Sequence, residues 1–214
     1  VDSLIATAIS ESNSRYTVSG VPTQLSLVHT VKVNYDESAG FDAALNAVTN
    51  TSDGAMDEVH ALRDTHKADL VVLLISNTQY CGLAWKPNTV STSNATLGFS
   101  VTAYNCATSY YSFAHEIGHN MGVGHDTYVD TSTTPYAYGH GYVNKADRIR
   151  SIMAYGNDCS DSGFSCTRVN HWSATDRLYN GLSIIGNSAT ARNNAALSAS
   201  VSSIANYRTG STAA

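Results

Sequence analysis

The sequence has little charge and no strong excess of either sign. Charged residues make up 14% of its 214 positions, and 12 lysines and arginines face 17 aspartates and glutamates, for a formal net charge of −5. A nucleic-acid-binding surface or a polybasic membrane anchor needs a basic excess. The longest apolar run, Leu70–Ile75, is far shorter than the ~20 residues that a membrane-spanning helix needs. We therefore expect neither nucleic acid nor a membrane among the partners.

Cysteine is also scarce. The four cysteines, Cys81, Cys106, Cys159 and Cys166, form no CxxC pair of the kind found in metal clips and redox motifs. Their even number and wide spacing favour two disulfides, most simply Cys81–Cys106 and Cys159–Cys166, although four cysteines allow three pairings. Disulfides indicate an oxidising compartment and hence a secreted protein. The alternative, four free buried thiols in a cytosolic protein, stays open.

The amino terminus lacks a signal-peptide pattern. Val1 is not followed by a basic and then apolar leader. We therefore expect that a signal peptide, and with it the pro-segment of a zymogen, has been removed or lies outside this sequence.

One stretch, FAHEIGHNMGVGHD, carries a metal-binding pattern. His115, Glu116 and His119 have the spacing H-E-x-x-H, and Gly122 and His125 extend it to H-E-x-x-H-x-x-G-x-x-H. A helix advances about 100° per residue, so the first two histidines project from the same side, one turn apart. Gly122 permits the left-handed bend that returns His125 to the same ion. A lone histidine on a helix is usually a surface residue, but five identities in this pattern favour a zinc site.

The donor set of this motif indicates a catalytic site rather than a structural one. Zinc takes four ligands, and three histidines leave one position for a water molecule whose pKa falls to about 7. Glu116, beside the metal but not necessarily on it, is predicted to accept a proton from this water and deliver it to the leaving nitrogen. An apolar stripe is expected on the opposite side of the helix, comprising Tyr110, Phe113, Ala114, Ile117 and Met121.

Hydrophobic periodicity along the chain predicts an α+β (α/β) fold in a single domain, 1–214. An upper lobe to about residue 122 is expected to combine a mixed, twisted sheet with helices. A smaller and irregular lower lobe, 123–214, is expected to end in a helix. The predicted helices are Asp2–Ser12, Phe41–Asp64 with a break at Asn50–Gly54, Thr108–Met121 and Asn193–Arg208; the predicted strands are Gln24–Asn34, Asp69–Ser76 as the central strand, Cys81–Trp85 and Leu97–Tyr104.

A second motif follows the zinc motif. The segment Ser151–Tyr155 places Met153 in an apolar turn, 28 residues after His125. With this turn, the sequence resembles the metzincin clan of zinc endopeptidases. Asp126, directly after the third histidine, is similar to the reprolysin (adamalysin) branch, and the segment CGLAW is similar to the edge strand that pairs with peptide in that branch. The resemblance covers most of the chain and points to bacterial proteins of the peptidyl-Asp metallopeptidase type.

This resemblance implies a metzincin fold, a zinc cleft, polypeptide substrates and Met153 beneath the metal. Gly82, Leu83 and Ala84 would bind substrate by strand addition. Asp126 would bond to the Met-turn region or fix the loop after His125. Calcium is a further candidate cofactor, because secreted relatives often bind it, although the chain has no D-x-D-x-D-G loop.

Three further residues have open roles. Tyr155 matches the position of a tyrosine that astacins and serralysins use as a displaceable zinc ligand; here it ligates zinc, stabilises the oxyanion or merely packs. Arg168 and His171 follow the Met-turn, where metzincins line the primed-side specificity pocket. If the enzyme favours acidic residues there, either side chain would supply the complementary charge.

Two other functions stay open. A binding module would use the zinc as a structural clip, but structural zinc sites usually have four protein ligands, often cysteines. A zinc amidase or deacetylase would act on a non-peptide substrate, whereas the edge strand beside the site favours a polypeptide. We expect the protein to be a monomer.

Overall fold

The computed structural model describes residues 1–208 and confirms the predicted α+β class. The helices are α1 (Asp2–Val18), α2 (Gly40–Thr49), α3 (Glu58–Thr65), α4 (Ser112–Asn120), the short α5 (Asn157–Ser160) and α6 (Asn193–Ile204), with 3-10 turns at Glu37–Ala39 and Thr92–Leu97. The strands are β1 (Val71–Ile75), β2 (Gly82–Ala84), β3 (Phe99–Ala103), β4 (Val143–Asn144), β5 (Ile149–Arg150), β6 (Thr167–Arg168), β7 (Leu178–Tyr179) and β8 (Ser183–Ile184).

The main sheet has the order β1-β3-β2, which corrects the prediction that Asp69–Ser76 contains its central strand. β3 pairs in parallel with β1, with Leu73 opposite Val101, and antiparallel with β2, with Leu83 opposite Val101. Every residue of β3 is buried, whereas four of the five residues of β1 are half-buried. The apolar run of β1 is explained by core contacts on both faces rather than by a central position, since Val72 and Leu74 pack against one buried cluster and Val71 and Leu73 against the other.

The predicted strand Gln24–Asn34 is wrong, because this segment contains no strand in the described chain. Leu27, Val28 and Val31 are exposed. At its start the segment is fastened to α1, since the Asn13 amide donates to the Leu25 carbonyl and accepts from the Leu25 N–H. Alternation predicts that a segment is extended, but it does not supply the neighbouring strand that a ladder needs.

The zinc helix α4 begins four residues later than predicted. Ser109 and Tyr111 have φ values of 62° and 63°, which a right-handed helix does not accept. Tyr110 therefore lies outside the helix and is 43% exposed, so it is not part of the predicted apolar stripe. The remaining stripe residues, Phe113, Ala114, Ile117 and Met121, are all buried.

The core beneath α4 joins distant parts of the chain. Trp172 and Met153 are fully buried in the same cluster as the α4 stripe and Leu197 of α6. A side chain at Gly118 would place its Cβ 3.0 Å from the Met153 Sδ and 3.0 Å from the Trp172 ring, so α4 packs closely on both. This contact fixes the height of the histidine-bearing helix above the Met-turn.

Candidate active site

Three histidines converge at the end of α4. The Nε2 atom of His125 lies 3.2 Å from that of His115 and 3.0 Å from that of His119. Gly122 makes the return of the chain possible, because its φ of +91° is one that residues with a Cβ rarely adopt. A Cβ there would also lie 2.7 Å from Pro135 and 2.9 Å from Val90. Glycine is thus required at this bend for both backbone and packing reasons.

The hydrogen bonds of the histidines determine which nitrogen carries the proton. Nδ1 of His115 donates to the Ile152 carbonyl at 2.9 Å, and Nδ1 of His119 donates to the Val123 carbonyl at 3.0 Å. A carbonyl oxygen only accepts, so both rings are protonated at Nδ1 and both Nε2 atoms carry a lone pair. These two lone pairs and the Nε2 atom of His125 lie within 4.8 Å of one another, so this donor set fits a zinc ion.

Burial keeps these imidazoles neutral. It lowers the pKa of His119 to about 3 and that of His125 to about 4, and it lowers the pKa of His115 well below its ordinary value. Charge repulsion adds to the effect on the pKa of His115, both from His119 and His125 when they are protonated and from the permanent charge of Arg168. Neutral imidazole is the form that binds a metal.

Glu116 lies beside the three histidines and against the edge strand β2. It is 5% exposed, and burial raises its pKa to about 8, against the opposing effect of the Arg168 charge. A Cβ at Gly82 would lie 2.2 Å from the Glu116 Oε1 atom. The carboxylate therefore occupies the space that any other residue at position 82 would need.

The variant Gly82→Ala is expected to displace Glu116. The added methyl group requires the carboxylate to move, and a shift of about 1 Å in a reacting group costs roughly 10²-fold in rate. Peptide-cleavage assays should show that loss in kcat/KM, with zinc content and Tm near those of the unmodified protein. Gly156→Ala is the matched control, since its Cβ would meet only Arg150 Nε at 3.9 Å. Normal turnover by Gly82→Ala would contradict the close packing of these two residues.

The edge strand is held at both ends. The disulfide Cys81–Cys106, with a Cα–Cα distance of 5.4 Å, joins its start to the loop that follows β3, and Cys159–Cys166 closes a separate loop at 5.9 Å. These are the pairings that the sequence favours. At the other end the buried Asn120 amide donates to the carbonyls of Trp85, Leu97 and Phe99. Sequence reasoning missed Asn120, because nothing in the motif singles out its side chain.

Asp126 connects the loop after His125 to the Met-turn. Its carboxylate is buried and accepts from the Tyr155 N–H at 2.7 Å and from the Tyr128 N–H at 3.2 Å. Met153, in the same turn, is fully buried below α4. The Tyr155 ring lies over His125, with 4.1 Å between ring centroids, and is 39% exposed. The tyrosine is thus at the open side of the histidine cluster.

The Arg168 charge acts on the site, whereas the side chain of His171 is buried in the fold. The Arg168 charge affects the pKa of His115, Glu116 and Tyr155. Burial and the charge of Arg150 lower the pKa of Arg168 to about 10, so it remains a cation at neutral pH.

His171 is 3% exposed, and its Nδ1 contacts the Trp172 carbonyl at 2.6 Å and the Ser19 hydroxyl at 3.2 Å. Its role in substrate binding stays a prediction from the resemblance. Its polar contacts hold the imidazole inside the fold.

Sequence reasoning also missed a pair of residues next to Arg168. Arg150 stands opposite Arg168 in the parallel pair β5–β6, and Tyr110 stacks under the Arg168 guanidinium with 4.4 Å from Cζ to the ring centroid. The three residues come from three separate segments, so no local spacing in one sequence predicts their contact. They form what we call the arginine cluster: Tyr110, Arg150 and Arg168.

The stretch that contains the three histidines lies within a match to a known protein family. The model of metallo-peptidase family M12B, reprolysin-like, matches residues 3–126. A peptidyl-Asp metalloendopeptidase of Stenotrophomonas maltophilia is 43% identical over 211 residues, which cover 97% of this chain and 48% of the relative. One from Xanthomonas campestris is 40% identical over 97% of this chain and 47% of its own length. The chain thus spans about half the length of these two relatives.

A shorter relative and a solved structure extend the comparison. A peptidyl-Asp metalloendopeptidase of Pseudomonas fragi is 36% identical over 79% of this chain and 85% of its own length. A solved chain, from the "Structure of a chaperone-substrate complex", superposes with a TM-score of 0.69 at 16% identity, over 97% of this chain and 32% of that chain. At that identity the likeness concerns the fold alone. Together, the family match, the relatives and the converging histidines at the predicted positions mean that this chain belongs to the reprolysin-like metallopeptidase family M12B.

Proposed function

We propose that this chain is a secreted zinc-dependent endopeptidase that cleaves polypeptides. The observation that carries the proposal is the convergence of three imidazole Nε2 atoms, within 4.8 Å of one another, beside the buried Glu116 carboxylate. His115, His119 and His125 would hold the zinc ion. When bound, zinc supplies a Lewis acid and lowers the pKa of a water molecule to about 7.

Glu116 would act as general base and then as general acid. Its carboxylate takes a proton from the attacking water while the water oxygen bonds to the peptide carbonyl carbon. It returns the proton to the nitrogen as the carbon–nitrogen bond breaks, which leaves one carboxylic acid and one amine. Tyr155 lies over His125 with a partly exposed ring, and we assign its hydroxyl to stabilising the developing oxyanion.

The substrate would bind to β2 as an added strand. Gly82, Leu83 and Ala84 pair on one side with β3, and their other side is the edge of the sheet in the described chain. Backbone hydrogen bonds to such an edge fix an extended peptide without regard to most of its side chains. Since Gly82 also touches Glu116, the same strand would hold the scissile bond near the group that moves the proton.

The relatives are named for peptidyl-Asp bonds, and Arg168 supports the same preference in this chain. It is the cation whose charge affects Glu116 and His115. We assign it to the carboxylate of an aspartate that follows the scissile bond, because a guanidinium binds a carboxylate through two parallel N–H donors.

Arg168→Gln is expected to remove the preference for aspartate. Hydrogen bonds to charged groups contribute about 1.5–3 kcal/mol, so kcat/KM on an Asp peptide should fall by roughly 10- to 100-fold. Cleavage of a peptide with Asn at the same position should change little. Arg168→Lys keeps the charge and should retain part of the preference, whereas an equal loss on both peptides would mean that Arg168 only supports the fold.

The two disulfides support secretion, since they form and persist in oxidising compartments. No helix among residues 1–208 is long and apolar enough to cross a membrane. Calcium binding stays a prediction from the resemblance. So does the division into an upper and a lower lobe within one domain.

The function is tested by mapping cuts in a proteome-derived peptide library by mass spectrometry, with and without a chelator or a hydroxamate. Cuts that disappear with either inhibitor and cluster before aspartate support the proposal. Zinc binding without any cleavage would indicate a silent binding module. Hydrolysis of non-peptide amides alone would indicate a zinc amidase.

A further inference from the structure

The arginine cluster carries two positive charges without a counterion in the described chain. The ion pairs of residues 1–208 involve other residues, and neither Arg150 nor Arg168 lies within salt-bridge distance of a carboxylate. Arg150 is 7% exposed, and Arg168 is half-buried. Two adjacent, poorly solvated cations destabilise a fold unless an anion pairs with them. An anionic ligand is therefore the natural complement of this cluster.

Each of the three guanidinium nitrogens of Arg150 has a partner within the protein. Its Nε donates to the Cys166 carbonyl at 3.2 Å, its Nη1 donates to the Ala154 carbonyl, and its Nη2 donates to the Tyr110 hydroxyl at 3.3 Å. This buried cation thus has a fixed position behind the tyrosine. Any effect of Arg150 on a ligand would pass through Tyr110.

Tyr110 stands at the open side of the cluster. Its hydroxyl oxygen accepts from Arg150, so the hydroxyl hydrogen is free to donate in another direction, and the side chain is 43% exposed. Burial alone would raise the pKa of Tyr110, but the hydrogen bond from Arg150 and the charges of Arg168 and Arg150 lower this pKa overall. The hydroxyl is therefore a stronger hydrogen-bond donor than an ordinary phenol.

Arg168 has donors to spare above the Tyr110 ring. Its Nη1 donates to the Tyr110 carbonyl at 3.3 Å and its Nη2 to the Ala154 carbonyl at 3.4 Å, while its Nε is buried without a partner. A guanidinium carries five N–H donors, of which these bonds use two. The stacking contact with the Tyr110 ring holds the guanidinium plane against the phenol.

We propose that Tyr110 is a specificity-determining residue, whose hydroxyl binds the same acidic side chain of the substrate as Arg168, and that Arg150 is the positioning residue that orients this hydroxyl. The inference rests on the proposed function, because it names a further contact for the residue after the scissile bond. The bound group would be a carboxylate that receives one hydrogen bond from the phenol and two from the guanidinium. A neutral amide of the same shape presents only one acceptor oxygen to these donors.

The test compares Tyr110→Phe with the unmodified protein, both loaded with zinc, on two fluorogenic peptides that differ only in Asp or Asn after the scissile bond. Tyr110→Phe keeps the ring under Arg168 and removes only the hydroxyl. We expect kcat/KM for the Asp peptide to fall about 10-fold, mostly through KM, and kcat/KM for the Asn peptide to stay within twofold. Tyr128→Phe is the control, since Tyr128 is 53% exposed and its hydroxyl bonds to Asp161 at 2.6 Å, outside the cluster.

The outcomes separate the two proposals. Suppose that the unmodified protein prefers the Asp peptide and that Tyr110→Phe keeps the same Asp-to-Asn ratio of kcat/KM, with or without an equal fall in kcat/KM for both peptides. Tyr110 then does not determine specificity, and only this inference is overturned. If the unmodified protein cleaves neither peptide, nor any other, the proposed function is overturned as well. Arg150→Lys should lower the same Asp-to-Asn ratio while Tyr110 is present and should have no further effect in the Tyr110→Phe background.

Discussion

Glu116→Ala is expected to abolish peptide cleavage while zinc stays bound. General acid–base catalysis contributes roughly 10²- to 10⁴-fold to rate, and here the same carboxylate would serve both proton transfers, so we expect the larger figure in kcat. Glu116 is not among the three converging donors, so its removal leaves the histidine ligands unchanged. The measurement pairs kcat on a fluorogenic peptide with zinc content determined by elemental analysis.

Two further variants make this result interpretable. Glu116→Gln preserves the shape of the buried side chain, so a loss of activity there cannot be attributed to a cavity beside Gly82. Glu58→Ala removes an exposed carboxylate at the start of α3 and should change nothing. Turnover within a few-fold of the unmodified protein in Glu116→Ala would remove the assigned base from the mechanism.

His125→Ala is expected to release the metal. Loss of a residue that merely orients a ligand costs about 10- to 100-fold in metal affinity, so the loss of a ligand should weaken zinc binding at least 100-fold. Cleavage should disappear with the metal at low free zinc. Competition with a chromophoric chelator measures the affinity, and the exposed His29→Ala is the matched control.

The same variant should also lose the stability that zinc provides. A ligand that binds only the folded state stabilises it by RT ln(1 + [L]/Kd), about 2.7 kcal/mol at 100-fold excess over Kd. A chelator should therefore lower the Tm of the unmodified protein and leave that of His125→Ala unchanged. Equal chelator sensitivity in both proteins would show that His125 is not a ligand.

The parts of the site that share one short segment were predictable from the sequence. The relation of His115, Glu116 and His119 follows from helical geometry, and Gly122 follows from the bend that a third ligand requires. Each of these two predictions depends only on residues a few positions apart in the sequence. The break between α2 and α3 and the final helix α6 were predictable for the same reason.

The features that the sequence did not reveal depend on partners far away in the chain. Whether Gln24–Asn34 forms a strand, and whether β1 or β3 lies at the centre, depends on pairing with segments that alternation does not identify. His171 has the chemistry of a substrate ligand, but Ser19, 152 positions earlier, holds it inside the fold. Tyr110 and Arg150 meet across 40 positions, and only the folded chain reveals their contact.

The close packing of Gly82 against Glu116 limits how the proposed substrate-binding strand β2 can be redesigned. Substitutions meant to reshape the proposed recognition along β2 are confined to positions 83 and 84, because a side chain at 82 would disturb Glu116, the proposed general base. A slip of the strand by two residues would bring the methyl group of Ala84 under that carboxylate. Gly82 thus lies both in the strand that is proposed to bind substrate and against the proposed general base. The adjacent Cys81–Cys106 disulfide keeps β2 from slipping relative to Glu116.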